Sequence, residues 1–257
     1  MRKKVTAACA GLGAVFACAA LMAAGTARAA KATDARLTAA AAVIQEFQAT
    51  DTKAIPASLL QRAYGVAVLP DVFRGGFIFA GRRGRGVLVV RSPDGEWSNP
   101  AFVTLTGGSV GWQIGAESAD VVLIFANKRA VRHIASGKFT LGGDASAVAG
   151  PVGRHATAAV TFKAEVYSYV RSEGLFAGAS FEGARLAIDH GANRSYYASD
   201  PQTAALSPQS AATPQSARRF LLTLQQASLG GAKNAQPQVQ TQAQPDQGGK
   251  AVTYPLK

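Results

Sequence analysis

Arg82, Arg83 and Arg85 stand within four residues of one another, inside the run Gly81-Arg82-Arg83-Gly84-Arg85-Gly86. A guanidinium carries a permanent charge and a planar fork of N–H donors, so several together suit the oxygens of a phosphate. Lys128, Arg129 and Arg132 form a second, weaker basic group on a short predicted helix. Each cation near an anionic lipid surface contributes on the order of 1 kcal/mol, and salt weakens the contribution. These six residues are the candidate lipid-binding set. The alternative for each group is a solvated face whose charges keep a sheet edge from aggregating.

Catalytic chemistry has less to stand on. His133, His155 and His190 are widely separated and no H-x-x-x-H spacing occurs, so neither a metal site nor a cofactor is expected. The chain has no G-x-S-x-G elbow and no G-x-x-x-x-G-K-[ST] loop. The glycine spacing of residues 81–86 is wrong for a nucleotide loop, and a strand pattern rather than a helix follows it. Glu117 with Asp120, and Glu165 with Glu182, are the carboxylate pairs that general acid–base catalysis would need. Nothing in the sequence brings either pair together, so salt bridges and caps are their expected duty. No catalytic residue is assigned and no enzyme is expected.

The elements that must hold the arginines follow from periodicity. Leu37, Ala40, Ala41, Ile44 and Phe47 make the apolar stripe of a helix over 33–48, with Arg36, Gln45 and Glu46 off the stripe. A short helix starts at Pro56 and carries Leu59, Leu60 and Ala63. From Gly65 to about Ala187 short apolar runs alternate with Gly and Pro turns. In that reading Phe77-Ile78-Phe79 and Val87-Leu88-Val89-Val90 are strands flanking a hairpin turn at 81–86, with the arginines on its tip. Strands are also expected at 102–105, 110–114, 121–125, 155–163, 164–171 and 175–188, and a helix at 128–136. Many short strands with glycine bends predict an α+β fold whose mainly antiparallel sheet is strongly curved or barrel-like, with peripheral helices.

The ends read differently. Arg2, Lys3 and Lys4 precede the apolar stretch Val5 to Ala24, and Ala27-Arg28-Ala29 supplies small residues for cleavage, so 1–29 reads as a signal peptide. Export to a bacterial periplasm or cell envelope is expected; acylation at Cys18 as a lipoprotein anchor is the alternative. Both cysteines, Cys9 and Cys18, fall in this segment, which leaves no disulfide or thiol chemistry beyond it. The formal charge of +12 favours an anionic partner. Export makes nucleic acid an unexpected one and points to anionic phospholipid or a membrane surface. Residues 30–200 are read as the domain, 201–213 as a linker, 214–229 as an amphipathic helix and 230–257 as a disordered Gln/Pro-rich tail.

Several motifs taken together resemble the SYLF family of lipid-binding domains. They begin with Ile55-Pro56, Leu59-Leu60, Ala63-Tyr64-Gly65-Val66-Ala67-Val68-Leu69-Pro70 and Gly76-Phe77. They continue through Trp97-Ser98-Asn99-Pro100-Ala101-Phe102, Ser109-Val110-Gly111-Trp112-Gln113-Ile114-Gly115 and Leu141-Gly142-Gly143-Asp144. Ala149-Gly150-Pro151-Val152-Gly153-Arg154, Tyr167-Ser168-Tyr169 and Tyr196-Tyr197 complete a resemblance over about residues 35–198. It implies a non-enzymatic domain that binds acidic phospholipid. The competing expectation is a structural or scaffolding envelope protein that binds a protein partner through the 214–229 helix or the tail.

Overall fold

The computed structural model describes residues 30–49, 54–76, 79–92, 94–110, 115–135, 139–152, 164–172, 175–177, 183–197, 206–209 and 213–230. The signal segment, the 155–163 strand, most of 110–114 and of the linker, and the tail lie outside these residues. The helices are α1 (30–48), α2 (Ala57–Arg62), α3 (Lys128–Ala135), α4 (His190–Tyr197) and α5 (Gln215–Ser228). The long strands are β1 (Gly65–Gly76), β2 (Phe79–Val90), β3 (Ala101–Val110) and β4 (Gly115–Phe125). The shorter ones are β5 (Phe139–Thr140), β6 (Ala147–Ala149), β7 (Val166–Ser172), β8 (Leu175–Ala177) and β9 (Arg185–Ile188). They form one sheet in the order β5-β9-β3-β2-β1-β4-β7-β6, with β8 also on β7. Every pairing is antiparallel except β6 with β7. The sheet curls into a half-barrel, the α+β architecture that the strand spacing predicts.

Both faces of the central strands are covered, which is why their sequences are continuous apolar runs rather than alternating ones. Val66, Val68, Val87, Val89, Val122 and Ile124 face a cluster completed by α1, α2 and α5. Ala67, Leu69, Leu88, Val121, Leu123 and Phe125 face a second cluster on the other side, to which α3 contributes Ala130 and Ile134.

Two expectations are corrected. The run Gly81–Gly86 is not a turn: β2 is continuous from Phe79 to Val90, and the β1–β2 connection lies between Gly76 and Phe79. Gly81 pairs with Gly75, Arg82 with Arg74 and Arg83 with Phe73, so the arginines lie along a strand. The glycines serve a different purpose there. The β1–β2 register shifts between Val68 and Phe73, and Asp71 sits at φ 50 within that bulge. A Cβ on Gly86 would come within 2.1 Å of the Val68 carbonyl oxygen, and one on Gly84 within 2.7 Å of Val72 Cγ2. The missing side chains therefore let the bulged strand close on β2.

The second correction concerns the helix read as lying beyond the domain. Ala217, Phe220, Leu221, Leu224 and Ala227 of α5 are buried in the same cluster as α1 and the sheet. The segment before it is tied down too: Thr213 Oγ1 donates to Asn99 Oδ1 at 2.8 Å, and Gln209 Nε2 to the Trp97 carbonyl at 2.8 Å. The apolar face of α5 is thus consumed within the fold and is not open to a partner. Leu222, and Leu229 just past its end, are the exposed large apolar side chains there.

Candidate functional site: an arginine cleft between α1 and β2

Side chains along a strand alternate between faces, so Arg83 and Arg85 share one face of β2 while Arg82 points to the other. Arg83 and Arg85 face α1, as Val87 and Val89 do further along the strand. There they line a cleft of about 420 Å³ whose other walls are Ala32, Ala35, Arg36 and Ala39 of α1 and Pro70 and Asp71 of β1, so three cations face one carboxylate. The predicted triplet is therefore divided. Two of its members join Arg36, a residue that the helical pattern only placed off the apolar stripe. Its partnership with β2 spans nearly fifty residues of chain, and no local spacing signals it.

Arg36 is held from two sides. Its Nη1 donates to Asp189 Oδ2 at 3.4 Å, and the guanidinium lies 5.3 Å from the Phe102 ring centre. Asp189 is itself fixed at the start of α4, where Oδ1 accepts the Ala192 N–H at 3.0 Å in an N-cap. Burial pulls the Arg36 pKa below its usual value; Asp189 opposes that, and the neighbouring charge of Arg85 adds to it. A cation repelled by another cation at one site is in a favourable position to receive an anion. Arg83 and Arg85 are exposed, and among the described residues no ion pair joins either to a carboxylate.

The remaining candidates lie elsewhere. Arg82 is partly buried on the opposite face beside Arg74; burial and then that neighbouring charge lower its pKa. Lys128, Arg129 and Arg132 are exposed on α3, whose Val131 packs at Gly65, opposite Val90 in the β1–β2 register. Seven residues of β2 separate Arg83 from Val90, about 23 Å of strand. The two basic groups are thus at different ends of the sheet and on different faces. Arg91, near the same end, is structural: it donates to the carbonyls of Leu60 and Ala63 at 3.1 Å and lies 4.1 Å from the Trp97 ring centre.

Of the carboxylates considered for acid–base work, Glu165 and Asp120 hold the scaffold together, while Glu182 and the Glu117 side chain lie outside the described residues. Glu165 accepts from Asn127 Nδ2 at 3.1 Å and from the Ser146 N–H at 3.2 Å. Asp120 accepts the Asp71 N–H at 3.1 Å, inside the bulge. Among the described residues no group of three or more His, Asp or Glu could hold a metal ion, and no helix is long and apolar enough to cross a membrane.

Comparison with known proteins gives this arrangement a family. Residues 106–227 match the family described as "Ysc84: Las17-binding protein actin regulator". That match takes in β4, β7, β9 and α5, the helix first read as lying outside the domain. Protein YSC84 of Saccharomyces cerevisiae is 42% identical over 148 residues, covering 56% of this chain and 31% of that protein. LAS seventeen-binding protein 3 of the same species is 41% identical over 148 residues, or 56% of this chain and 32% of that one. Human SH3 domain-containing YSC84-like protein 1 is 38% identical over 169 residues, 63% of this chain and 49% of that one. The chain thus spans about a third to a half of these relatives. No solved structure matches it. On the motifs and on these matches, the chain carries a domain of the Ysc84, or SYLF, family.

Proposed function

We propose that this domain is a binding module which holds a protein partner, and that it does so in the bacterial envelope. The carrying observation is its similarity to proteins named for binding: the family description and LAS seventeen-binding protein 3 both specify a protein partner. The envelope location rests on the charged start, apolar stretch and Ala27-Arg28-Ala29 of the first 29 residues. The family description names binding and regulation rather than a reaction, and two of the carboxylates considered for acid–base work, Asp120 and Glu165, are engaged in structural contacts.

A photo-crosslinking amino acid at position 32, exposed on the α1 wall of the cleft that Arg83 and Arg85 line, tests the reading in cells. A discrete protein adduct in the envelope fraction is the expected result. Adducts confined to lipid, from this position and from a second probe on α3, would overturn it. Mass spectrometry of the same fraction tests the location, with Ala30 expected as the first residue and retained Met1 contradicting it.

A second reading, anionic phospholipid as the ligand, is favoured by one observation: Lys128, Arg129 and Arg132 all project from α3 into solvent. Three exposed cations on one helix can meet a flat anionic surface together. Co-sedimentation with phosphatidylglycerol vesicles that falls when all three are changed to Gln, and with added salt, would support it. Equal recovery with neutral vesicles would remove it.

A further inference from the structure

The concave surface beside α1 differs in kind from the exposed basic stripe of α3. Its two exposed arginines, Arg83 and Arg85, are two residues apart on one strand face, which spaces them by about 7 Å. An extended peptide with acidic side chains at alternate positions has the same repeat, so two successive carboxylates can meet two successive guanidiniums in register. Arg36 adds a third cation from α1, and alanines at 32, 35 and 39 keep that wall low enough for a chain to approach. Phe73 completes the surface. It pairs with Arg83 in the β1–β2 register, hence lies on the same face, and is 52% exposed. Aromatic and Arg side chains are the types most often found carrying the energy of protein interfaces.

The same geometry argues against a membrane here. Arg82 and Arg83 leave β2 on opposite faces, and Arg36 is recessed beside Asp189. These cations do not form the flat array that a bilayer surface would engage at once. A narrow, extended anionic chain fits the recess.

We propose that the Arg36–Arg83–Arg85 cleft, with Phe73 at its rim, is where an extended acidic segment of the partner protein docks, with its acidic side chains at alternate positions. This rests on the protein-partner reading and adds the location and chemistry of the contact.

The test uses the full-length chain and a labelled eight-residue peptide alternating Glu and Val, with fluorescence anisotropy as the readout. A Gln/Val peptide and a peptide with its four Glu in one block are the controls. The alternating peptide is expected to bind in preference to both. The double variant Arg83→Gln/Arg85→Gln is expected to lose about tenfold or more in affinity. Arg74→Gln/Arg82→Gln removes the same charge from the other face and is expected to change affinity by less than about threefold. Phe73→Ala is expected to weaken binding without altering its salt dependence. Equal losses for the two double variants would reduce the effect to bulk charge and overturn the proposal. Binding unchanged by Arg83→Gln/Arg85→Gln would do the same. No peptide binding, with capture by phosphatidylglycerol vesicles that requires Arg83 and Arg85, would make the cleft a lipid site. Should a double variant melt early, Arg85→Glu tested against a Lys/Val peptide replaces it; the expected gain over wild type disappears if the contact is not direct. Failure here with protein adducts still formed in cells leaves the partner reading intact and moves its contact elsewhere.

Discussion

The two halves of β2 are covered differently. Val87, Leu88 and Val89 are buried on both faces, between the cluster made with α1, α2 and α5 and the one made with α3. Four residues earlier the helical layer thins to the alanines of α1, and Arg83 and Arg85 emerge into a cleft. One strand thus serves as core at one end and as the open, cationic wall of a cleft at the other, with the Val68–Phe73 irregularity of β1 beside the boundary. Changes in the first half should act on stability, and changes in the second on binding.

The largest effect is expected from the layer that makes the apolar half. Phe220 of α5 is fully buried. Phe220→Ala should cost about 3–5 kcal/mol through lost burial and the cavity left behind. Urea denaturation measures it, and a loss below about 1 kcal/mol would mean that α5 is only an appendage.

Next in size is the boundary itself. Gly86→Ala puts a methyl group against the Val68 carbonyl oxygen, backbone that cannot swing away, whereas a Cβ on Gly81 meets nothing within 4 Å. Overpacking of this kind costs about 1–3 kcal/mol, while Gly81→Ala should stay within about 0.5 kcal/mol. Equal melting temperatures for the two variants would show that the close approach of β1 and β2 is not maintained in solution.

The arginines sharpen the same contrast. Arg91→Ala removes donors from the Leu60 and Ala63 carbonyls and the stack on Trp97, for an expected loss of about 2 kcal/mol. Arg83→Gln and Arg85→Gln sit on the exposed half and should each cost less than about 0.5 kcal/mol. Thermal melts of the three variants side by side decide it.

How legible this was depended on the range of the signal. The stripes of α1 and α5 are local, at three- and four-residue spacing, and both helices are present. The destination of α5 was not legible, because its burial depends on α1, α2 and sheet residues that lie far away in sequence, from Leu37 to Tyr169. Gly81–Gly86 was misread because glycine marks both turns and close approaches. Its own pattern held the better signal: Arg83 and Arg85 alternate with Gly84 and Gly86, which is the two-residue period of a strand. Small residues on one face and cations on the other mark a face pressed against something and a face left open. Arg36 could not be assigned to the cleft from sequence, since what recruits it is the tertiary contact with Asp189 and β2.

The smallest predicted effect lies at the irregularity in β1. Asp120 accepts the Asp71 N–H at 3.1 Å and lies 3.9 Å from Arg171, which also pairs with Glu46. Burial pushes its carboxyl above the usual range; the Asp71 N–H opposes that and the charge of Asp71 reinforces it. A carboxyl whose pKa is higher folded than unfolded favours the fold at low pH, and that contribution is lost as pH rises through the folded value. Asp120→Asn retains an oxygen acceptor for the Asp71 N–H and removes the charge. The variant should therefore match wild type in acid and exceed it near neutral pH, by less than about 1 kcal/mol. Chemical denaturation at several pH values reads the difference directly. A variant less stable than wild type at neutral pH, with the gap closing in acid, would mean that the pull of Arg171 outweighs burial. The bulge would then be held by charge rather than by its hydrogen bond, and the boundary between the two halves of β2 would become sensitive to salt.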